Sequence, residues 1–269
     1  MHQTKTVNGD THDRGKTALC QSLTGIAGIL LACWTTLAGA QENGNAAASS
    51  QAGGGYREEF KTLDDWKPRT FDDVDRHTEY SIVEIDGGHA LKAVSDNSAS
   101  GVTWKKTFDV YKYPRMRWRW KISNIYETGD ATDKKRDDYA NRVYVTFKYD
   151  PDDVGFVLRA KYGVAKRIYG EYPPHSTLNY FWANKEHDAH HLVSQYTDRA
   201  MLVPVETGAK NVGKWVEEEV NIIEDYKRAF GEKPPREASI AIMIDSDNTG
   251  ESASGWIDYI ELLPAEKDN

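Results

Sequence analysis

Only two cysteines occur in the 269 residues, Cys20 and Cys33, and both lie within the first 40. A chain that loses that stretch has no thiol, so a disulfide framework is excluded and an exported form must be held by its core alone. Cations are also short. The 34 Lys+Arg against 42 Asp+Glu give a formal charge of −8, the wrong sign for a nucleic-acid partner, whose phosphates call for a basic surface. No uninterrupted apolar run reaches the about 20 residues of a permanent membrane span, and no repeat of fixed period is visible. Long helical stretches between fully apolar strands, the mark of a parallel sheet, are missing.

What is present begins with an export signal. Arg14 and Lys16 precede the apolar stretch Ile26-Ala-Gly-Ile-Leu-Leu-Ala-Cys-Trp34, and Ala38-Gly39-Ala40 supplies the small residues that a signal peptidase needs. Cleavage after Ala40 is expected, with residues 1–40 as signal peptide. Leu30-Leu31-Ala32-Cys33 offers the alternative of a lipoprotein signal, although its middle Leu is not the usual small residue and the apolar character persists beyond Cys33. Residues 41–55, rich in Ala, Gly, Ser, Asn and Gln, form a flexible linker. One β domain over residues 56–265 remains, and the expected location is exported: periplasmic, lipid-anchored through Cys33, or secreted.

Aromatics are plentiful and amphipathic, with 8 Trp and 15 Tyr against 7 Phe. They suit half-buried sheet faces and also sugar-stacking platforms. In Met116-Arg-Trp-Arg-Trp-Lys-Ile122 the two Trp share one face and the two Arg the other. In Arg142-Val-Tyr-Val-Thr-Phe-Lys148 the residues Val143, Val145 and Phe147 turn to the core, with Arg142, Tyr144 and Thr146 opposite. Further strand-like runs are 81–85, 90–93, 101–108, 178–183, 200–205, 215–221, 239–245 and 256–262. One short helix, 223–230, is stopped by Gly231 and Pro234-Pro235. About ten short strands and one helix predict an all-β, two-sheet β-sandwich of jelly-roll kind, galactose-binding-like or concanavalin-like.

Several segments could carry chemistry. Asp130–Arg142 holds four carboxylates and four cations before a strong strand; it reads either as a solvated loop or, at Arg142 beside Tyr144, as a planar donor fork for a carboxylate or vicinal hydroxyls. Leu178-Asn-Tyr-Phe-Trp-Ala183 places Tyr180 and Trp182 on one face, as core or as a sugar platform. His187 and His191 have zinc-ligand spacing for a helix, but no HExxH glutamate, helix signal or cysteine accompanies them, so they are assigned to an exposed loop. Trp215–Ile222 carries Glu217 and Glu219 on one face, a pairing of the kind retaining glycosidases use, without the surrounding acidic pattern of a laminarinase. The run Asp245-Ser-Asp-Asn-Thr-Gly250 begins like an EF-hand loop, but its twelfth position is Trp256 and no helices flank it. No metal or other cofactor is assigned; a structural calcium in a non-EF loop, with Asp258 or Glu59 as further ligands, is the alternative. The preferred reading puts Asp245, Asp247 and Asn248 at a strand end, within reach of sugar hydroxyls.

Taken together, Tyr113-Pro-Arg-Met-Arg-Trp-Arg-Trp-Lys, Asp137-Asp-Tyr-Ala-Asn-Arg-Val-Tyr-Val-Thr-Phe, Tyr180-Phe-Trp, Trp215-Val-Glu-Glu-Glu-Val-Asn, Asp225-Tyr-Lys-Arg-Ala-Phe-Gly-Glu-Lys-Pro-Pro and Asp245-Ser-Asp-Asn-Thr resemble a family of exported bacterial proteins known only as domain of unknown function 3047. The resemblance spans nearly all of 56–264 and implies export and one β-rich domain, with no activity attached. A looser likeness to carbohydrate-binding jelly rolls implies that Arg57–Phe60 pairs near the closing strand 256–262, and fold likeness of that kind does not transmit function. The leading expectation is a protein that binds a polysaccharide or cell-envelope glycan in a groove, through Arg142, Tyr144, Tyr180, Trp182, Asp245 and Asn248. Two alternatives stay open: a polysaccharide lyase or glycoside hydrolase on the same scaffold, and an envelope structural protein without a small ligand. The oligomeric state is not legible.

Overall fold

The alternation of Arg115–Ile122 is the plainest case of sequence dictating structure. Every second side chain of this strand, from Met116 through Trp118 and Trp120 to Ile122, is fully buried, and the intervening Arg and Lys are half exposed. The computed structural model describes residues 55–151, Arg159, Tyr162, Gly163, Lys166 and residues 172–265. The export segment 1–40 and all of the linker except Gly55 lie outside the described residues.

Among the described residues, fourteen strands and one continuous helix follow in order: β1 (Tyr56–Glu58), β2 (Trp66–Arg69), β3 (Glu79–Ile85), β4 (Gly88–Asp96), β5 (Ala99–Trp104), β6 (Phe108–Asp109), β7 (Arg115–Ile122), β8 (Arg142–Phe147), β9 (Ser176–Ala183), β10 (Leu192–Val193), β11 (Ala200–Thr207), β12 (Val216–Asn221), α1 (Ile222–Phe230), β13 (Glu237–Asp245) and β14 (Ser252–Leu263). They form two sheets. A six-stranded sheet runs β12-β7-β14-β4-β3 with β1 added on β14, and an eight-stranded sheet runs β10-β11-β9-β8-β13-β5-β2 with β6 added on β13. The first strand does pair with the last, Tyr56 opposite Leu262. All pairings are antiparallel except β9 with β11. The molecule is thus the mostly-β, two-sheet sandwich that the strand pattern implied. Among the described residues no helix is long and apolar enough to cross a membrane.

The core lies between the sheets. Trp118 and Trp120 of β7 meet edge to face at 5.4 Å, Trp118 lies 5.7 Å from Tyr180, and Trp120 lies 5.7 Å from Trp182, both on β9. Valines 143 and 145, Leu178, Ile240, Ile242, Ile257 and Ile260 fill the space around these rings. The helix caps itself. The side chain of Asn221 accepts from the N–H groups of Ile223 and Glu224, and Gly231, left-handed at φ 73°, donates back to Lys227. Its buried residues Ile222 and Tyr226 close one end of the sandwich, Tyr226 against Phe147 at 4.6 Å.

Candidate functional site

The outer face of the eight-stranded sheet is where polar and aromatic side chains converge. Its register lines up Lys67, Thr103, Ala241, Tyr144, Asn179 and Leu202 in one row, and Arg69, Gly101, Met243, Arg142, Phe181 and Pro204 in the next. Half of this face is covered. Phe181, Ala183 and Leu202 pack with Ala131 and Tyr139 of the loop before β8 and with Leu192 of β10. The other half is more open: Tyr144, Thr146, Ser239, Met243, Thr103, Lys67 and Arg69 are partly exposed. Its middle carries small side chains, Gly101, Ala241 and Ser239, between the longer ones of β2 and β8. At Gly101 a Cβ would meet the Ile242 carbonyl oxygen at 2.7 Å, so the close approach of β5 and β13 requires glycine.

The junction of the two halves is a buried charge cluster. Arg142 and Asp245, on adjacent strands and both under 5% exposed, form an ion pair. The Arg142 guanidinium lies 4.8 Å over the Tyr139 ring and 5.9 Å from that of Tyr144. Asp245 accepts a second bond from the Tyr139 N–H, at 3.1 Å. The Tyr139 hydroxyl donates to Asp137 at 2.7 Å. Burial pushes the Asp137 carboxyl up to about 6 against the pull of Arg142.

Asp138 points the other way and holds the acidic turn. It accepts from the Thr249 N–H at 2.6 Å, the Thr249 hydroxyl at 2.8 Å and the Asn248 amide at 3.1 Å. Oxygen atoms of Asp138, Asp245 and Asp247 lie within 4.8 Å of one another, close enough to ask whether a cation fits. The donor set does not suit one. The oxygens of Asp138 are bonded to the turn and Asp245 is paired with Arg142, so a cation here would lie beside a buried guanidinium that repels it. The further calcium ligands expected from sequence are elsewhere, Asp258 paired with Arg119 and Glu59 with Lys61. The turn is held by hydrogen bonds.

Of the six residues expected at the site, four meet here: Arg142, Tyr144 and Asp245 directly, and Asn248 through Asp138. Tyr180 and Trp182 do not. Tyr180 stands opposite Val143, on the core side of β9, and both rings are fully buried against Trp118 and Trp120. They are core residues and no sugar platform. The paired acids Glu217 and Glu219 are likewise no catalytic pair: Glu219 is clasped by Arg115 and Arg117 on the outside of the six-stranded sheet, and Glu217 accepts from Tyr259.

The acid that sequence reasoning passed over is Glu218. By strand parity it shares the inner face with Val216 and Val220, and its Oε1 is buried with only the Trp120 indole N–H near it, too poorly placed for a full hydrogen bond. Burial first, and Glu206 second, push it up to about 7. The folded state therefore keeps a proton that the unfolded chain, near the ordinary value of 4.5, has released. Stability falls as pH rises from about 4.5 through about 7. Glu218→Gln is expected to remove that slope and to stabilise the fold by about 1 kcal/mol at alkaline pH. Thermal melts at about pH 5 and about pH 8 check it; a variant melting no higher than its parent at the alkaline end contradicts the assignment.

A two-sheet sandwich with one outer face half open is the class the fold and site define. The chain belongs to the family described as protein of unknown function (DUF3047), which matches residues 64–261. No curated protein matches it. Among solved structures it is similar to the family 11 carbohydrate-binding module of the cellulosomal cellulase Lic26A-Cel5E of Clostridium thermocellum, at 13% identity over 81% of this chain and 99% of that one, TM-score 0.42. It is also similar to the family 30 carbohydrate-binding module of a Clostridium thermocellum cellulosomal cellulase, at 10% identity over 79% and 92%, TM-score 0.36. A Bauhinia forficata lectin in complex with GalNAc matches at 8% identity over 80% and 99%, TM-score 0.37. Likeness at this level carries no functional argument.

Proposed function

We propose that this protein is exported and binds a glycan along the open half of the outer face of its eight-stranded sheet. The observation that carries this reading is the partly exposed Tyr144 side chain beside a floor of Gly101, Ala241 and Ser239, with Thr103, Thr146, Lys67 and Arg69 around it. A tyrosine ring offers a flat apolar surface to the C–H face of a sugar, the small residues leave room for the ring, and the flanking donors reach its hydroxyls. The buried Arg142–Asp245 pair anchors one end of the strip and holds Tyr144 in place. Export rests on the signal-like residues 14–40, and mass spectrometry of the N-terminus from fractionated cells separates cleavage after Ala40 from lipidation at Cys33.

Two observations weigh on the alternatives. A lyase would need Arg142 free to neutralise a uronate and a tyrosine ready to give up its proton. Arg142 is instead committed to Asp245, and burial pushes the Tyr144 hydroxyl up. The burial of Arg142 and Trp182 is what a purely structural protein would also show, so Tyr144 is the discriminating residue. Tyr144→Ala is expected to weaken binding to the best ligand of a glycan array roughly tenfold, or ~1.4 kcal/mol, with the melting temperature little changed. An affinity that survives the substitution, or an array with no ligand, removes this reading.

A further inference from the structure

A cavity of about 380 Å³ lies at the opposite margin of the molecule, between β11, β12, α1 and the loop after β9. One wall is aliphatic, from Val203, Val205 and Val220; the other is polar, from Asp225 and Arg228 of α1, with His187 and His190 of the loop. The volume falls in the lower range of small-molecule sites, about 300–1,000 Å³.

Two features make this more than a surface dent. The first is a β-bulge at Val205, which breaks the register between Pro204 and Glu206 beside the cavity; Val205 and Thr207 both line it. The second is Asp225. Its Oδ2 accepts from the buried Tyr180 hydroxyl at 3.1 Å, which fixes the carboxylate from behind. Its Oδ1 faces Arg228 Nη1 at 3.9 Å, beyond hydrogen-bond distance, and remains available as an acceptor. Burial pushes this carboxyl up, against the pull of Tyr180, Arg228 and His190. Tyr180 thus positions an acid in a site other than the one the sequence suggested.

The neighbouring edge narrows the ligand class. β10 pairs with β11 only at Met201 and Leu202, so among the described residues no strand lies beside that margin of β11 from Val203 onward. A peptide could add there as a further strand, but Pro204 lacks a donor and the bulge twists the edge away, both of which oppose strand addition. A small polar molecule with one apolar face remains. Asp188 and Asp225 outnumber Arg228 around the cavity, which disfavours an anion.

The geometry points to this cavity as a second binding site that takes one neutral sugar ring, independent of the outer-face strip. The C–H face of the ring packs on Val203, Val205 and Val220, and its hydroxyls donate to Asp225 Oδ1 and bond with His190 and His187. Saturation-transfer NMR on the full chain tests this with glucose, galactose, N-acetylglucosamine and glucuronate as probes. Transfer is expected to at least one neutral sugar and not to glucuronate. Asp225→Asn, which exchanges the free acceptor for a donor, and His190→Ala, on an exposed loop that leaves the fold intact, are each expected to weaken it about tenfold. The comparison is repeated in the Tyr144→Ala background, where the outer-face strip contributes least, so that failure of the cavity and failure of the outer-face reading are read separately. No transfer from any neutral sugar, transfer unaltered in both cavity variants, or preference for glucuronate overturns the proposal.

Discussion

Trp182→Ala is expected to lower the unfolding free energy by about 3–5 kcal/mol, a large part of the roughly 5–15 kcal/mol that a domain of this size has. The ring is fully buried, 5.7 Å from Trp120, and its indole N–H donates to the Gly208 carbonyl at 3.0 Å. Truncation removes the contact across the two sheets, opens a void where β9 faces β7, and leaves that carbonyl without its donor. Trp182→Phe keeps most of the ring and should cost clearly less. Denaturant titration of both variants decides the matter. A surface stacking residue would lose sugar affinity at almost unchanged stability, so a loss under about 1 kcal/mol for Trp182→Ala would contradict its place in the core.

Why the sequence separates Trp118 from its charged neighbours yet leaves Trp182 ambiguous has a physical answer. In β7 the alternation is apolar with cationic, so the pleat itself tells inside from outside. In β9 the residues Leu178 to Ala183 are buried on both faces, one under β7 and the other under the loops that carry Tyr139 and Leu192. A strand with no wet face has no polar side to read, and only its pairing with β8, Tyr180 opposite Val143, resolves the parity. The same reasoning explains the strands that were missed. β10 has two residues and β2 contains Pro68, so neither leaves a periodic signal.

The site was legible to the extent that it rests on local alternation. Arg142 and Tyr144 fall on the outer face because Val143 and Val145 fall on the inner one. What lay out of reach is contact between distant segments. Asp138 holds Thr249 across 111 positions, and Tyr180 reaches Asp225 across 45. The acidic run 245–250, which as a string of letters suggests a metal loop, is explained by one carboxylate from another part of the chain.

The second large effect is expected at Arg142. Arg142→Met should destabilise the fold by about 3–5 kcal/mol at neutral pH, because it leaves Asp245 buried with no cation beside it. Asp137, already pushed up to about 6 with Arg142 pulling it down, loses that pull as well. With that pull gone the Asp137 carboxyl is raised further in the folded state, and the variant should recover stability as pH falls and Asp137 takes up a proton, while losing it as pH rises. The partner substitution distinguishes a pair from two independent residues. Asp245→Asn alone leaves a buried guanidinium with one charge fewer to face, and the double variant removes both members. Its loss is expected to be smaller than the sum of the single losses by about 1–3 kcal/mol, measured by denaturant titration of all four proteins. Additive losses would mean that Arg142 is held chiefly by its stack on Tyr139 and by Asp137. The strip that carries Tyr144 would then be anchored by the loop before β8, with no contribution from the strand end at Asp245.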